Sequence, residues 1–289
     1  MTGGELVVVG TGVSVGHLTA EARGWISLAN KVLYCVADAP TERLILKLNP
    51  NAESLYPFYG EGKPRKETYN EMVERTLVSL RSGGIVCAAY YGHPGIFVYP
   101  AHHSIKAARK EGFSARMLPA VSSIDCLFCD LGVDPSAGCQ IFEATDLMVR
   151  KRTIDTASHV IILQVSALGD MAYSFAGYDS RNLKTLGHYL SRIYPTTFKV
   201  KSYAAAQFAV CDPDIREIEI GELASDTVHG ISTLYIPPLE APPIHLDMLN
   251  EYKLGSLLDG MKLVRVDHPS GAGAGLEQSI GESQRGSIG

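Results

Sequence analysis

The sequence lacks any apolar run approaching the roughly 20 residues that cross a bilayer. Its amino terminus also lacks the charged-then-apolar pattern of a secretory signal. A soluble, cytoplasmic protein with no membrane partner is the expectation. A basic stripe is missing too. The 26 Lys and Arg are interspersed with 31 Asp and Glu, for a formal charge of -5, which argues against nucleic acid as a partner. No full set of metal ligands can be found. Of the six cysteines, Cys35, Cys87, Cys126, Cys129, Cys139 and Cys211, most lie inside apolar segments, as buried free thiols do. Cys126-Leu-Phe-Cys129 has ligand spacing, but neither a second Cys pair nor a His pair accompanies it, so core packing is expected and no metal. Finally, Gly10, Gly12 and Gly16 miss the Gly-x-Gly-x-x-Gly fingerprint by one residue, and no acidic residue clearly closes a second strand. A nicotinamide enzyme is disfavoured.

What is present is alternation. At 289 residues with 46% hydrophobic content, the chain can hold one large core or two medium ones. Glu5 to Gly10 reads as a strand entering a glycine loop, with a helix from Leu18-Thr19 to about Ala29. Lys31 to Val36 is a second strand, and Asp38 or Thr41 can cap a helix through Leu48. Ile85 to Tyr90 is an apolar run broken abruptly by Gly92-His93-Pro94-Gly95. That pattern reads as a buried parallel strand ending in a tight loop, where α/β sheets hold their ligands, or as an ordinary Gly/Pro turn. Helix Ala101 to Gly112, strand Phe113 to Leu118 and a helix after Ser122-Ser123 follow. The second half offers Gln140 to Glu143, His159 to Val165 with Gln164 embedded in it, a helix from Arg181 to Ile193, and strands Phe198 to Ala204, Arg216 to Ile220 and Ser232 to Ile236. Such alternation is an α/β signature. The expected division is an N-terminal α/β domain over 1–135, a second over 136–240, and a short helical segment with a flexible tail over 241–289. There, Leu246 to Leu258 can form an amphipathic helix and Gly271 to Gly289 is expected to lack order.

One segment has unusual chemistry. Leu55 to Tyr69 holds Tyr56, Tyr59, Tyr69 and Arg65 among glycines and prolines, a mixture suited to a loop that folds over a ligand. It is also compatible with a plain surface loop whose tyrosines pack by their faces. Helical periodicity begins at Glu67 and runs to about Arg81.

Four motifs, Val9-Gly-Thr-Gly12 with Gly16-His-Leu-Thr19, Tyr91-Gly-His-Pro-Gly95, Leu118-Pro-Ala-Val-Ser-Ser123 and Gly230-Ile-Ser-Thr233, together resemble the tetrapyrrole methylase family over about residues 5 to 238. That resemblance implies two α/β domains with S-adenosylmethionine in the cleft between them, S-adenosylhomocysteine as product, and a homodimer. The tyrosine segment, with Phe97, Asp125-Cys126-Leu127-Phe128 and Tyr235-Ile-Pro-Pro238, resembles one branch of it, the peptide backbone α-N-methyltransferases that make borosins. The likeness implies catalytic roles for Arg65, Tyr69 and Tyr91, a peptide path along Tyr56 and Tyr59, and cofactor contacts from Tyr91, His93, Ile96, Ser123, Gln164, Tyr203, Ser232 and Thr233. Fungal members end in a long clasp and their own substrate, whereas about fifty residues follow Pro238 here. The expectation is a separate precursor peptide as substrate.

The residue types suit that chemistry. An amide nitrogen is a poor nucleophile because its lone pair is delocalised into the carbonyl. A permanently cationic Arg65 can hold the oxygen as it becomes imidate-like. A phenol beside it, Tyr69 or Tyr91, is expected to have its pKa lowered by the guanidinium so that it can take the proton. The competing readings are a methyltransferase for a corrin or porphyrin precursor and a non-catalytic peptide-binding module.

Overall fold

The computed structural model describes residues 3–178, 182–208, 210–224, 232–253, 263–266 and 275–278. The α/β class expected from the alternation is the one adopted, as two five-stranded sheets with helices. The first sheet is built from β1 (Glu5–Gly10), β2 (Lys31–Cys35), β3 (Ala52–Ser54), β4 (Ile85–Tyr90) and β5 (Ser114–Met117), in the order β3-β2-β4-β1-β5. Every pairing in it is parallel. All five strands therefore end at one edge, and the loops that follow them share it.

Strand alternation sorts the core. Leu6, Val8, Leu33, Val86 and Ala88 face α3 (Arg65–Arg81) and α4 (Tyr99–Lys110), while Val7, Val9, Val32, Cys87 and Ala89 face α1 (Ala20–Leu28) and α2 (Ala39–Leu48). The caps are those the sequence favours. Thr19 accepts from the Ala22 amide at 3.1 Å, and Asp38 from the Thr41 amide at 2.8 Å.

The second sheet is mixed. Its strands β6 (Cys139–Glu143), β7 (His159–Leu163), β8 (Lys199–Ala204), β9 (Asp214–Glu219) and β10 (Thr233–Ile236) run in the order β6-β7-β10-β8-β9. Only the β6–β7 pairing is parallel. Val160, Ile162, Leu234 and Ile236 face one core with Leu147, Leu183, Leu186 and Leu190. Ile161, Leu163, Tyr203 and Tyr235 face the other way, against Ile124 and Leu127 of α5 (Ser123–Leu131). That helix follows directly from β5, so it bolts the two sheets together. Burying Leu127 completely contributes about 2 kcal/mol to the bolt.

Element limits differ from expectation in places. α3 starts at Arg65, two residues earlier than the periodicity suggests. The helix expected over Arg181 to Ile193 is observed as α7, Leu183–Leu190, with α6 (Ala144–Val149) before it, and Arg181 lies outside the described residues. α8 covers Leu246–Glu251 with Tyr252 at its C-cap, and the rest of the expected run, 254–258, lies outside the described residues. Lack of order from Gly271 onward is corrected in part, because Gly275–Gln278 forms an antiparallel pair with Leu263–Val266. Backbone pairing overrides the low-complexity composition there, and the rest of that call falls outside the described residues.

Candidate active site

At the carboxyl edge of the first sheet, three loops close on Gly10. The Thr11 amide donates to the Tyr90 carbonyl at 2.8 Å, and Gly12 and Gly92 exchange hydrogen bonds at 3.2 and 3.0 Å. A Cβ on Gly10 would come within 2.2 Å of the Gly92 carbonyl oxygen and 2.6 Å of Pro94 Cδ. Only glycine lets these loops approach so closely. The His93 ring then turns back on its own loop. Its Nδ1 accepts from the Gly95 amide at 3.0 Å, which fixes Nδ1 as the unprotonated nitrogen.

Beyond this loop Ile96 packs against the α5 and β7 cluster, so His93 to Ile96 border the junction of the two sheets. Ser122 caps α5, its hydroxyl and backbone both meeting the Asp125 carboxylate at 2.6 Å. Ser123 stands at the first helical position. From the second sheet come Gln164 and the Ser232–Thr233 pair, tied together by the Val165 amide donating to the Ser232 carbonyl at 3.3 Å. Gln164 ends β7 in left-handed backbone (φ 58°, ψ 35°), as Phe97 ends the opposite loop (φ 57°). Left-handed backbone costs a non-glycine residue about 1 kcal/mol, and such outliers cluster at ligand sites. His93, Ile96, Ser123, Gln164, Ser232 and Thr233, expected around the cofactor, thus lie on the elements that meet at this junction.

A cleft of about 430 Å³ opens beside α5 between the two sheets, with Ser14, His17, Val121, Asp125, Cys126 and Asp130 among its walls and none of the eight expected cofactor residues lining it. Its size is that of a small-molecule or cofactor pocket. The mixture of apolar wall, carboxylates and glycine-edged loops fits a nucleoside-containing cation such as S-adenosylmethionine. Tyr203 differs from expectation. It is fully buried, and its hydroxyl donates to Asp130 Oδ2 at 2.6 Å. It holds Asp130 rather than presenting a surface of its own. Among the described residues no group of three His, Cys, Asp or Glu side chains is arranged for a metal ion.

The tyrosine loop follows β3, so it leaves the sheet at the same edge as Tyr91 to Phe97. It is not free-standing. Residues 171–173 pair with it antiparallel: Gly62 donates to the Tyr173 carbonyl at 2.9 Å, Tyr173 to the Lys63 carbonyl at 3.0 Å, and Arg65 to the Met171 carbonyl at 3.0 Å. The Tyr56 and Tyr173 hydroxyls meet at 2.8 Å, and the Phe175 amide donates to Glu61 at 2.7 Å. Ring contacts run on from Phe175 through Tyr173 and Tyr59 to Tyr69, with centroids 5.1, 4.4 and 6.4 Å apart. Sequence reasoning missed this strap from the second half. It has no periodicity, and its partner lies more than a hundred residues away.

Arg65 and Tyr69 are four residues apart on α3, so they share one face of the helix start. The half-buried Arg65 forms no ion pair among the described residues. Instead its guanidinium carbon lies 4.7 Å from the centroid of the Tyr178 ring. The expected lowering of the phenol pKa values is corrected by burial. Desolvation pushes Tyr69 up, outweighing the Arg65 charge that pulls it down, and Tyr59 is raised by burial and then by Cys35. Tyr91 is also raised, by burial first and then by Asp38. Its electrostatic neighbours are Asp38, Cys126 and Gln207, so it faces the cleft while Tyr69 faces Arg65 and Tyr59.

The family model for Tetrapyrrole (Corrin/Porphyrin) Methylases matches residues 5–195. Among curated relatives, the methyltransferase/ribosomally synthesized cyclic peptide dendrothelin A precursor of Dendrothele bispora is 42% identical over 252 residues, 85% of this chain and 60% of its own. The methyltransferase/omphalotin A precursor of Omphalotus olearius is 39% identical over 257 residues, 87% of this chain and 62% of its own. The chain thus spans about three fifths of the length of these relatives. Cobalt precorrin-4 methyltransferase superposes with a TM-score of 0.60 at 15% identity, over 81% of this chain and 94% of that one. Uroporphyrin-III C-methyltransferase from Thermus thermophilus, complexed with S-adenosylhomocysteine, gives 0.54 at 16%, over 81% and 92%. By its match to the family model and its fold, the chain belongs to the tetrapyrrole methylase family.

Proposed function

We propose that the protein is an S-adenosylmethionine-dependent methyltransferase acting on backbone amide nitrogens of a ribosomally made peptide. One observation carries the reading: a half-buried arginine with no carboxylate partner among the described residues, seated on an aromatic ring, stands one helical turn from a half-buried phenol. Among the described residues nothing occupies the N–H donors that would meet a peptide carbonyl oxygen. The names of the relatives, which join methyltransferase and peptide precursor, support the same substrate class.

A bound S-adenosylmethionine supplies the electrophilic methyl group. The chain's own residues do the rest. Arg65 holds the carbonyl oxygen as negative charge gathers on it, in a site where burial strengthens the interaction. Tyr69, neutral at neutral pH, orients the amide by accepting its N–H. Taking the proton outright requires the phenolate, which Arg65 favours and burial opposes. In the phenolate form Tyr69 would take the amide proton as the nitrogen is methylated, becoming the neutral phenol, while Arg65 balances the charge on the carbonyl oxygen. Tyr56, Tyr59, Tyr173 and Phe175 form the wall along which an apolar peptide can lie. His93, Ile96, Ser123, Gln164 and Ser232–Thr233 border the cofactor cleft, with Tyr91 facing both.

The substrate is proposed to be a separate chain, since the polar Ser279–Gly289 segment is a poor methyl acceptor. A homodimer is proposed on family likeness. The tyrosine loop is no argument for a dimer, because the strap pairs with that loop within one chain. A corrin or porphyrin precursor is disfavoured by Asp125 and Asp130 in the cleft wall, which repel a polyanionic macrocycle. Intact mass of a synthetic Val-Ile-Gly repeat peptide after incubation with S-adenosylmethionine tests the reading. Increments of one methyl on the peptide support it. Binding without a mass change would make the protein a recognition module, and methyl increments on the purified protein itself would end the separate-substrate proposal.

A further inference from the structure

We propose that Tyr178 is a positioning residue for Arg65, and that the second half of the chain thereby sets the aim of the guanidinium. The inference rests on the methyltransferase reading given above. Arg65 is the first residue of α3, where a long side chain has few neighbours on its own helix. Among the described residues two contacts hold it in place, and both come from the strap. Its amide is held by the Met171 carbonyl at 3.0 Å, and its guanidinium lies 4.7 Å over the Tyr178 ring.

A ring is a particular kind of support for a cation. It stabilises the charge through its quadrupole by about 0.5 to 2 kcal/mol. It takes none of the five N–H donors, which lie in the guanidinium plane and stay free for an oxygen. A carboxylate in the same place would neutralise the charge and occupy the fork. Two other arginines of the same helix are held in that second way: Arg75 by Glu53 and Arg81 by Glu74 and Glu111. The ring face contributes the support and the hydroxyl does not, so a phenyl ring should serve as well as a phenol. Met171 and Phe175 are largely exposed, and the strap is held by its pairing with residues 62–65, by Glu61 and by the Tyr56 and Tyr59 rings. Tyr178 is the point at which that docking reaches the charged group.

The test uses the full chain. The Arg65 Nε–Hε signal, identified by its loss in Arg65→Lys, should be shifted upfield by the Tyr178 ring current. It should return to the ordinary range in Tyr178→Leu and stay shifted in Tyr178→Phe. With the Val-Ile-Gly repeat peptide, Tyr178→Leu should lower kcat by about 10- to 100-fold with KM within about threefold, as expected for a misplaced transition-state donor. Tyr178→Phe should restore it, and S-adenosylhomocysteine binding by calorimetry should be unchanged in both. An unshifted Arg65 signal in the wild type, or full kcat in Tyr178→Leu, would overturn the proposal. If the wild type transfers no methyl group although the signal is ring-shifted, the methyltransferase reading is what has failed, and the positioning role falls with it.

Discussion

The two ends of α3 carry the same side chain in opposite circumstances. Toward the carboxyl end, Arg75 makes a two-pronged contact with Glu53, and Arg81 bridges Glu74 and Glu111. At the amino end, Arg65 has an aromatic ring and no carboxylate among the described residues. The positive end of the helix dipole makes the difference sharper, since a cation there is disfavoured by a few tenths of a kcal/mol. A charge kept where helix electrostatics oppose it, and without its usual counter-ion, is kept for something that arrives later. The comparison separates the last turns of α3, whose arginines are committed to the fold, from its first turn, whose arginine under the proposed function is kept for a ligand.

The most direct way to break this contrast is to truncate each arginine in turn. Arg65→Ala should cut peptide methylation by about a hundredfold or more, the usual cost of one lost oxyanion donor. Arg75→Ala and Arg81→Ala should leave the rate within about twofold. Intact-mass time courses on the three variants decide it, and equal losses would erase the distinction. Next in size is Tyr69→Phe, expected to slow methylation by about 10²-fold in line with loss of a proton acceptor. Because burial raises the Tyr69 pKa, the wild-type rate should climb with pH up to at least about 10, the ordinary tyrosine value. A plateau near neutrality would show that another group takes the proton.

The smallest effect belongs to the structural end. Hydrogen bonding from Arg75, with help from Lys31, holds the Glu53 carboxyl at about 2, below its ordinary 4.5. A lowered carboxylate contributes stability that is complete above the ordinary value and is lost as pH falls from there toward 2. The pair is largely solvated, so screening limits its worth to about 1 kcal/mol or less. Glu53→Gln should shift the denaturant midpoint slightly at pH 7 and not at all near pH 2. A larger shift at low pH than at neutral would reverse the sign and refute the linkage.

Much of this was legible in the sequence, for local reasons. Strand β4 and its glycine loop, the Asp38 and Thr19 caps and the helical run after Glu67 are each decided within a few residues, where propensity and capping act. Arg65, Tyr69 and Tyr59 could be singled out because their spacing and company are unusual. Three things were not legible. The strap carrying Tyr173 and Tyr178 pairs with a segment more than a hundred residues away, so nothing local marks it. The direction of the Tyr69 pKa depends on its burial against the core of the first sheet and beside Tyr59 and Tyr99, which no local pattern reveals. The family resemblance implies Tyr203 as a cofactor contact, and only the packing of α5 across β8 shows its hydroxyl committed to Asp130.

Gln164 and Phe97 hold left-handed backbone on opposite sides of the junction, where glycine would hold it without strain. Fold stability and site geometry therefore pull in opposite directions at these two positions. Selection for robustness alone would drift toward glycine at both and gain about 1 kcal/mol apiece. The same change would remove an amide side chain from the end of β7 and an aromatic face from the β4 loop. A search for hardier variants of this protein would meet its easiest gains at two positions that the proposed site can least spare.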